Sequence, residues 1–290
     1  MATLTQWISG ARPLTLPAAL APVAAGTGAA AALHQAHAFR AGLALVVSLA
    51  LQIGVNYAND YSDGIRGTDE GRIGPFRLTG SGAAPPEAVR RAAFISFALA
   101  GVAGTLLVLL CQAWWLLGVG GASVLAAWYY TGGRRPYGYR GWGEVFVFLF
   151  FGLVAVLGTT YAQAGRISLP AVCAATGIGA LACAILVANN LRDIPTDQIS
   201  GKLTLAVRLG DARTRHLYAG LLALAGLMLV PMLLGRPEVM VTLLAFTLAI
   251  RPLGIVRRGG QGKELIAVLK GTGQLELAYG LLLGLSLGLR

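Results

Sequence analysis

The chain has 290 residues, of which 56% are hydrophobic and only 12% charged, with a mean hydropathy of +0.68. A soluble domain carries about 25% charged residues, so this composition excludes a soluble core and points to a membrane protein. The net charge of +11 reads as membrane topology and attraction to anionic lipid; no compact basic domain is present to bind nucleic acid.

A membrane-spanning helix needs roughly 20 mostly apolar residues. In chain order that length picks out nine segments, near 14–33, 39–59, 92–111, 113–131, 143–164, 170–191, 215–234, 238–256 and 268–289. Their apolar positions do not alternate strictly, which disfavours a β-barrel. The expected fold is an all-α polytopic membrane protein of about nine transmembrane helices, read as one domain over residues 1–290. The first segment lacks a basic stretch before it and contains Pro17 and Pro22, so no cleavable signal peptide is expected.

Arg and Lys orient these segments. With a cytoplasmic N-terminus and nine crossings, 19 of the 23 basic residues fall on the inside, and only Arg40, Arg166, Arg236 and Arg290 fall outside. That is a strong positive-inside signal, expected of a multi-pass protein of the cell's inner (plasma) membrane. Cys111, Cys173 and Cys183 sit in apolar runs without CxxC spacing, and His34, His37 and His216 form no ligand pattern. All six read as structural. In the last segment Gly280, Gly284 and Gly288 form a small-residue stripe. Helix packing is the first reading of that stripe, and a homodimer interface the second.

Two polar clusters interrupt the apolar pattern. "NYANDYSDGIRGTDEGR" (56–72) follows the second span, and "VANNLRDIPTDQISGKLTLAVRLGD" (187–211) follows the sixth. Four crossings separate them, so both end on the same side. Asn59 and Asp63 are four residues apart, as are Asn189, Asp193 and Asp197, and side chains at that spacing share a helix face. The parallel suggests a weak internal repeat with halves near 1–131 and 132–290. Pro195 disfavours helical geometry at Ile194, which is expected to leave Asp193 on the last turn and Asp197 in the following loop or a new turn.

Six of the twelve acids lie in these blocks: Asp60, Asp63, Asp69, Glu70, Asp193 and Asp197. Crowded carboxylates repel one another unless a cation sits between them, and hard oxygen ligands of this kind suit Mg²⁺ shared with substrate phosphates. Arg66, Arg192 and Lys202 lie in or beside the clusters, and "YTGGRRPYGYRGWGE" (130–144) brings Arg134, Arg135 and Arg140 to the same side. Such residues can hold the outer oxygens of a diphosphate.

At these stretches, and at the opening "SGARPLTLPAALAPVAAGT", the sequence resembles the UbiA superfamily of intramembrane aromatic prenyltransferases. Within it the wording is most similar to the menaquinone-pathway branch that prenylates 1,4-dihydroxy-2-naphthoate. The resemblance implies a helical bundle around a central cytoplasm-facing cavity. It also implies transfer of a polyprenyl chain from its diphosphate to the naphthoate, with loss of CO₂. By motif it puts Asn59, Asp63, Asp69, Asn189, Asp193 and Asp197 on Mg²⁺, and Asp60, Asp63, Asp193 and Asp197 in the catalytic set. Arg66, Arg134, Arg135, Arg192 and Lys202 fall to the diphosphate, and Arg12, Asn56 and Arg140 are candidates for the acceptor. The superfamily's third acid is commonly at the position of Gly67; here it falls at Asp69.

Other readings remain. "DYSDG" matches the opening of the CDP-alcohol phosphatidyltransferase motif, but Ile65-Arg66-Gly67 departs from its continuation. A transporter is disfavoured because only Glu276 would place an acid near the midplane. Within the superfamily, 4-hydroxybenzoate, homogentisate, a porphyrin or a phosphoribosyl group are alternative acceptors.

Overall fold

The computed structural model describes residues 2–67 and 76–289. Among these residues there is no strand, and helix follows helix from end to end. Helix α1 (Leu4–Gly10) starts on a reciprocal cap, with Thr3 accepting from the Gln6 backbone while the Gln6 side chain accepts from the Thr3 N–H. After a 3₁₀ turn at Pro13–Thr15 the chain bends by 50° into α2 (Pro17–Ala31). Then come α3 (Ala38–Ile65), α4 (Pro86–Cys111), α5 (Trp115–Tyr129) and α6 (Gly143–Ala164), the last with a π-helical stretch at Phe148–Val154. Helix α7 (Leu169–Ile199), the short α8 (Leu205–Leu209), α9 (Asp211–Leu233), α10 (Pro237–Arg257) and α11 (Lys263–Gly288) complete the bundle.

Each of the nine expected segments is helical. Six described helices are long and apolar enough to cross a membrane, and a seventh follows if the bent pair before Ala31 is one span. Helix α5 falls below that length, and α11 carries Lys263, Glu264, Lys270 and Glu276 along its apolar run. The count that length and composition support is therefore six to seven.

Helix α7 is the central post, with 78% of its most apolar window buried. Its alanines and glycines admit close neighbours: a Cβ on Gly152 of the π stretch would lie 2.6 Å from the Gly179 Cα. The glycine stripe of α11 works the same way. A Cβ on Gly284 would meet the Ala24 carbonyl oxygen at 2.4 Å, and one on Gly280 would meet Ala21. The stripe packs α11 onto α2 of its own chain. Backbone approach through small residues is how helices gain packing energy in lipid, where no hydrophobic force drives them together.

Two of the basic residues expected outside have a structural use. Arg40 donates to the carbonyls of Leu110, Ala162 and Gln163, and Arg236 to those of Ala32 and Leu287. These carbonyls belong to the last turns or caps of α2, α4, α6 and α11, which have no helical partners of their own. Those four helix ends therefore share one end of the bundle. The acidic C-terminal parts of α3 and α7 lie at the other.

Candidate active site

Helix α3 continues a turn and a half beyond its expected apolar limit, so Asn56, Asn59, Asp60 and Asp63 are all helical. Their faces differ. Asp60 is fully buried, and its two carboxylate oxygens accept the backbone N–H groups of Leu78 and Thr79 at 2.7 and 3.0 Å. It anchors the strand of chain that returns to α3 before α4. Both of its oxygens thus accept from backbone, a structural duty that the catalytic role expected of Asp60 would have to share. Asp63, one turn on, accepts the Tyr139 hydroxyl at 2.6 Å and pairs with Arg77 at 3.6 Å. Asn59 accepts from the Thr131 hydroxyl at 2.8 Å.

The second cluster departs from expectation at Pro195. Helix α7 runs through this proline to Ile199. A proline ring removes one backbone donor and crowds the carbonyl four residues earlier. Around it Pro195, Thr196, Gln198 and Ile199 are exposed while Asp193 and Asp197 are buried on the inner face. Asp197 is therefore helical, and Asn189, Asp193 and Asp197 stand on successive turns of one face. Arg192 forms a fork to Asp193, with Nε and Nη2 at 2.7 and 2.9 Å, while Nη2 also donates to Asn189 at 2.9 Å. Lys202 lies 3.9 Å from Asp197.

Tyr139 joins the two clusters. Its hydroxyl holds Asp63, its ring lies under Lys202 (4.8 Å) and Arg66 (5.6 Å), and its carbonyl accepts the Leu203 N–H. A continuous chain of contacts thus runs from Asp63 through Tyr139 and Lys202 to Asp197. The arginines of this loop stand out in the sequence and its tyrosine does not; Tyr139 lies two residues before the Gly141–Gly143 turn into α6, a position that carries no signal. Tyr130 sits nearby.

The basic residues divide. Arg192 and Lys202 face the acids. Arg66 turns back to donate to the carbonyls of Thr131 and Gly133, tethering the Tyr139 loop to α3. Arg134, Arg135 and Arg140 are exposed on that loop, forming a basic rim; the structure does not bring them onto the carboxylates. Arg12 has left-handed backbone (φ 54°) between α1 and the 3₁₀ turn and lies near enough to act on the Asp60 charge. Asp69 and Glu70 lie outside the described residues. Among the described residues no three Asp, Glu, His or Cys side chains gather as a ready metal cluster.

Below the clusters lies an apolar cavity of about 330 Å³. Its walls come from α2 to α7, with Val23, Leu107, Leu116 and Gly158 deep inside and Asn56, Asn59, Tyr130 and Tyr137 at the polar end. An oily chamber capped by carboxylates, cations and phenols suits a substrate with a long apolar tail and a polyanionic head.

Residues 19–264 match the model of the UbiA prenyltransferase family. The chain belongs to this family. It is 58% identical over 281 residues to a 1,4-dihydroxy-2-naphthoate octaprenyltransferase of Mycobacterium tuberculosis, covering 97% of this chain and 96% of the relative. Among solved structures, a UbiA homologue of Aeropyrum pernix superposes with a TM-score of 0.71 at 16% identity, covering 93% and 96% of the two chains. A homologue of Archaeoglobus fulgidus bound to GPP and Mg²⁺ gives 0.69 at 17% identity, covering 96% and 99%. These two likenesses show that the fold is that of a multi-pass UbiA membrane protein.

Proposed function

We propose that the protein transfers a polyprenyl chain from polyprenyl diphosphate to 1,4-dihydroxy-2-naphthoate, releasing diphosphate and CO₂ and giving demethylmenaquinol. The observation that carries this reading is the 58% identity over 97% of the chain to a relative of that name. The cavity supports it from the chemistry side, since an apolar chamber accommodates an isoprenoid and keeps water from a cation-like allylic carbon.

The acids fit Mg²⁺ by donor type. Asp63, Asp193 and Asp197 with Asn59 and Asn189 offer hard oxygens, the ligand class this ion prefers, and Asp69 is proposed beside them by motif. As the chain stands, three of these carboxylates face its own cations: Asp63 faces Arg77, Asp193 faces Arg192, and Asp197 faces Lys202. When bound, Mg²⁺ would supply charge neutralisation for the diphosphate. Arg192 and Lys202 then bind its outer oxygens, and Tyr139 fixes the Asp63 carboxylate through its hydroxyl. The exposed Arg134, Arg135 and Arg140 draw the anionic head toward the rim. Stabilising the departing diphosphate, rather than the resting substrate, is what accelerates its ionisation. We further infer that all nine apolar segments cross an inner membrane, that the two halves are related as a repeat, and that the site opens to the cytoplasm.

The test is purified protein with Mg²⁺, a polyprenyl diphosphate and a panel of acceptors: the dihydroxynaphthoate, 4-hydroxybenzoate and homogentisate. The expected product mass is that of the prenylated dihydroxynaphthoate less CO₂, a prenylated naphthalenediol. Product from another acceptor alone would overturn the assignment.

A further inference from the structure

One face of α3 carries a polar ladder down into the otherwise apolar cavity: Ser48, Gln52, Asn56 and Asn59 all line it. Ser48 is satisfied within the fold, its hydroxyl donating to the Ala19 carbonyl. Gln52 and Asn56 are different. They are 6% and 3% exposed, and the hydrogen bonds around Thr15 fix which way their amides point.

The Thr15 hydroxyl has one proton, and it donates it to the Arg12 carbonyl at 2.9 Å. Its oxygen can then only accept. It accepts from Gln52 Nε2 at 2.8 Å and from Asn56 Nδ2 at 2.9 Å, and Asn56 Nδ2 gives its other proton to the Ala11 carbonyl at 2.9 Å. Flipping either amide would set oxygen against oxygen. Both carbonyl oxygens are therefore locked away from Thr15. Gln52 Oε1 is buried with no hydrogen-bond partner among the described residues, and no described residue donates to Asn56 Oδ1. A buried acceptor left unmade costs about 1–3 kcal/mol, so Gln52 Oε1, with the Asn56 amide oxygen a helical turn along the same cavity wall, calls for a donor from a ligand.

We propose that Gln52 and Asn56 are specificity-determining residues that accept hydrogen bonds from the hydroxyl groups of the aromatic acceptor. This deepens the reading of the protein as a dihydroxynaphthoate prenyltransferase and rests on it. Four residues along a helix rise about 6 Å, a separation close to that of two para oxygens on one ring. Amide oxygens attract O–H donors and repel a carboxylate, so the acceptor enters with its hydroxyls on the α3 wall. Its carboxylate then lies toward Arg12, whose carbonyl is already part of the Thr15 network. The ladder begins where Asn59 meets the first acidic motif, which places the ring beside the polar end of the cavity, where the allylic carbon would lie.

The experiment compares 1,4-dihydroxy-2-naphthoate with its two mono-O-methyl ethers, which keep the ring electron-rich but each lose one O–H donor. With the wild-type protein, Mg²⁺ and a polyprenyl diphosphate, at least one ether should show an acceptor KM raised roughly 10–100-fold, with the donor KM unchanged. In Gln52→Met, an apolar side chain of similar length, the diol and that ether should converge to within about threefold while the donor KM stays at the wild-type value. Equilibrium binding of 1,4-naphthalenediol and its monomethyl ether, followed by their own fluorescence, gives the same comparison without turnover. Equal KM values for the diol and both ethers in the wild type would overturn the proposal while leaving prenyl transfer intact, and so would full discrimination retained in Gln52→Met. Wild-type protein that prenylates none of the three would overturn the underlying reading, and the proposal with it. Should Gln52→Met fail to fold, the wild-type comparison and the binding pair decide alone.

Discussion

Asp60 and Asp63 stand three residues apart on α3, and the structure gives them opposite duties that one substitution can separate. Asp60→Asn keeps one carbonyl oxygen for one of the two amides at Leu78 and Thr79, and turns an NH₂ group toward the other. A hydrogen bond to a charged acceptor contributes about 1.5–3 kcal/mol, and a donor facing a donor in a buried site removes more than the bond alone. The expected loss is about 2–4 kcal/mol of stability, and Asp60→Ala, which strands both amides, should lose more. Thermal unfolding in detergent, followed by intrinsic fluorescence, should show Asp60→Asn melting several degrees below the wild type. At temperatures where the variant is folded, kcat at saturating substrates should stay within about threefold. Because Arg77 adjoins the released Leu78 and pairs with Asp63, the donor KM should rise. Wild-type melting combined with a hundredfold fall in kcat would refute the anchoring role and support a catalytic one for Asp60.

Asp63→Asn, Asp193→Asn and Asp197→Asn should each lower kcat at least about tenfold with folding intact; in a double-mutant cycle Asp63→Asn with Asp193→Asn should fall well short of additive, and full additivity with unchanged Mg²⁺ dependence would mean two separate sites. Tyr139→Phe keeps the ring beneath Lys202 and loses only the bond to Asp63, so steady-state kinetics should show a smaller drop in kcat than Tyr139→Ala; equal effects would remove the ring from the bridge. Gly284→Val drives side-chain carbon into the α2 backbone at Ala24 and should lower the melting temperature markedly, whereas Gly158→Val, in open space, should melt like the wild type. Single cysteines in the 61–67, 132–141 and 200–204 segments should react with impermeant thiol reagents from the cytoplasmic side only, and labelling of any one from outside would break the shared-site arrangement.

The sequence carried the bundle and the pairing of the two acidic motifs because both depend on features that sum along the chain: apolar length, parity of crossings and four-residue spacing. What it could not carry were choices made by partners distant in sequence. Asp60 and Asp63 are equivalent as letters, and only the return of the chain at Leu78 and Thr79 makes one an anchor and leaves the other at the site. Pro195 has a strong local meaning, yet α7 continues through it to Ile199 and carries Asp197 onto the same buried face as Asp193. Arg66 is expected at the diphosphate by its place in the motif, and the fold adds a second duty, its guanidinium donating to carbonyls 65 and 67 residues away. Tyr139 and Gln52 illustrate the remaining case, in which ordinary residues acquire a role from the hydrogen bonds around them. Gln52 becomes a fixed acceptor only because Thr15 has a single proton and donates it to Arg12. That orientation follows from three residues in one helix and a turn, and no spacing rule along α3 contains it.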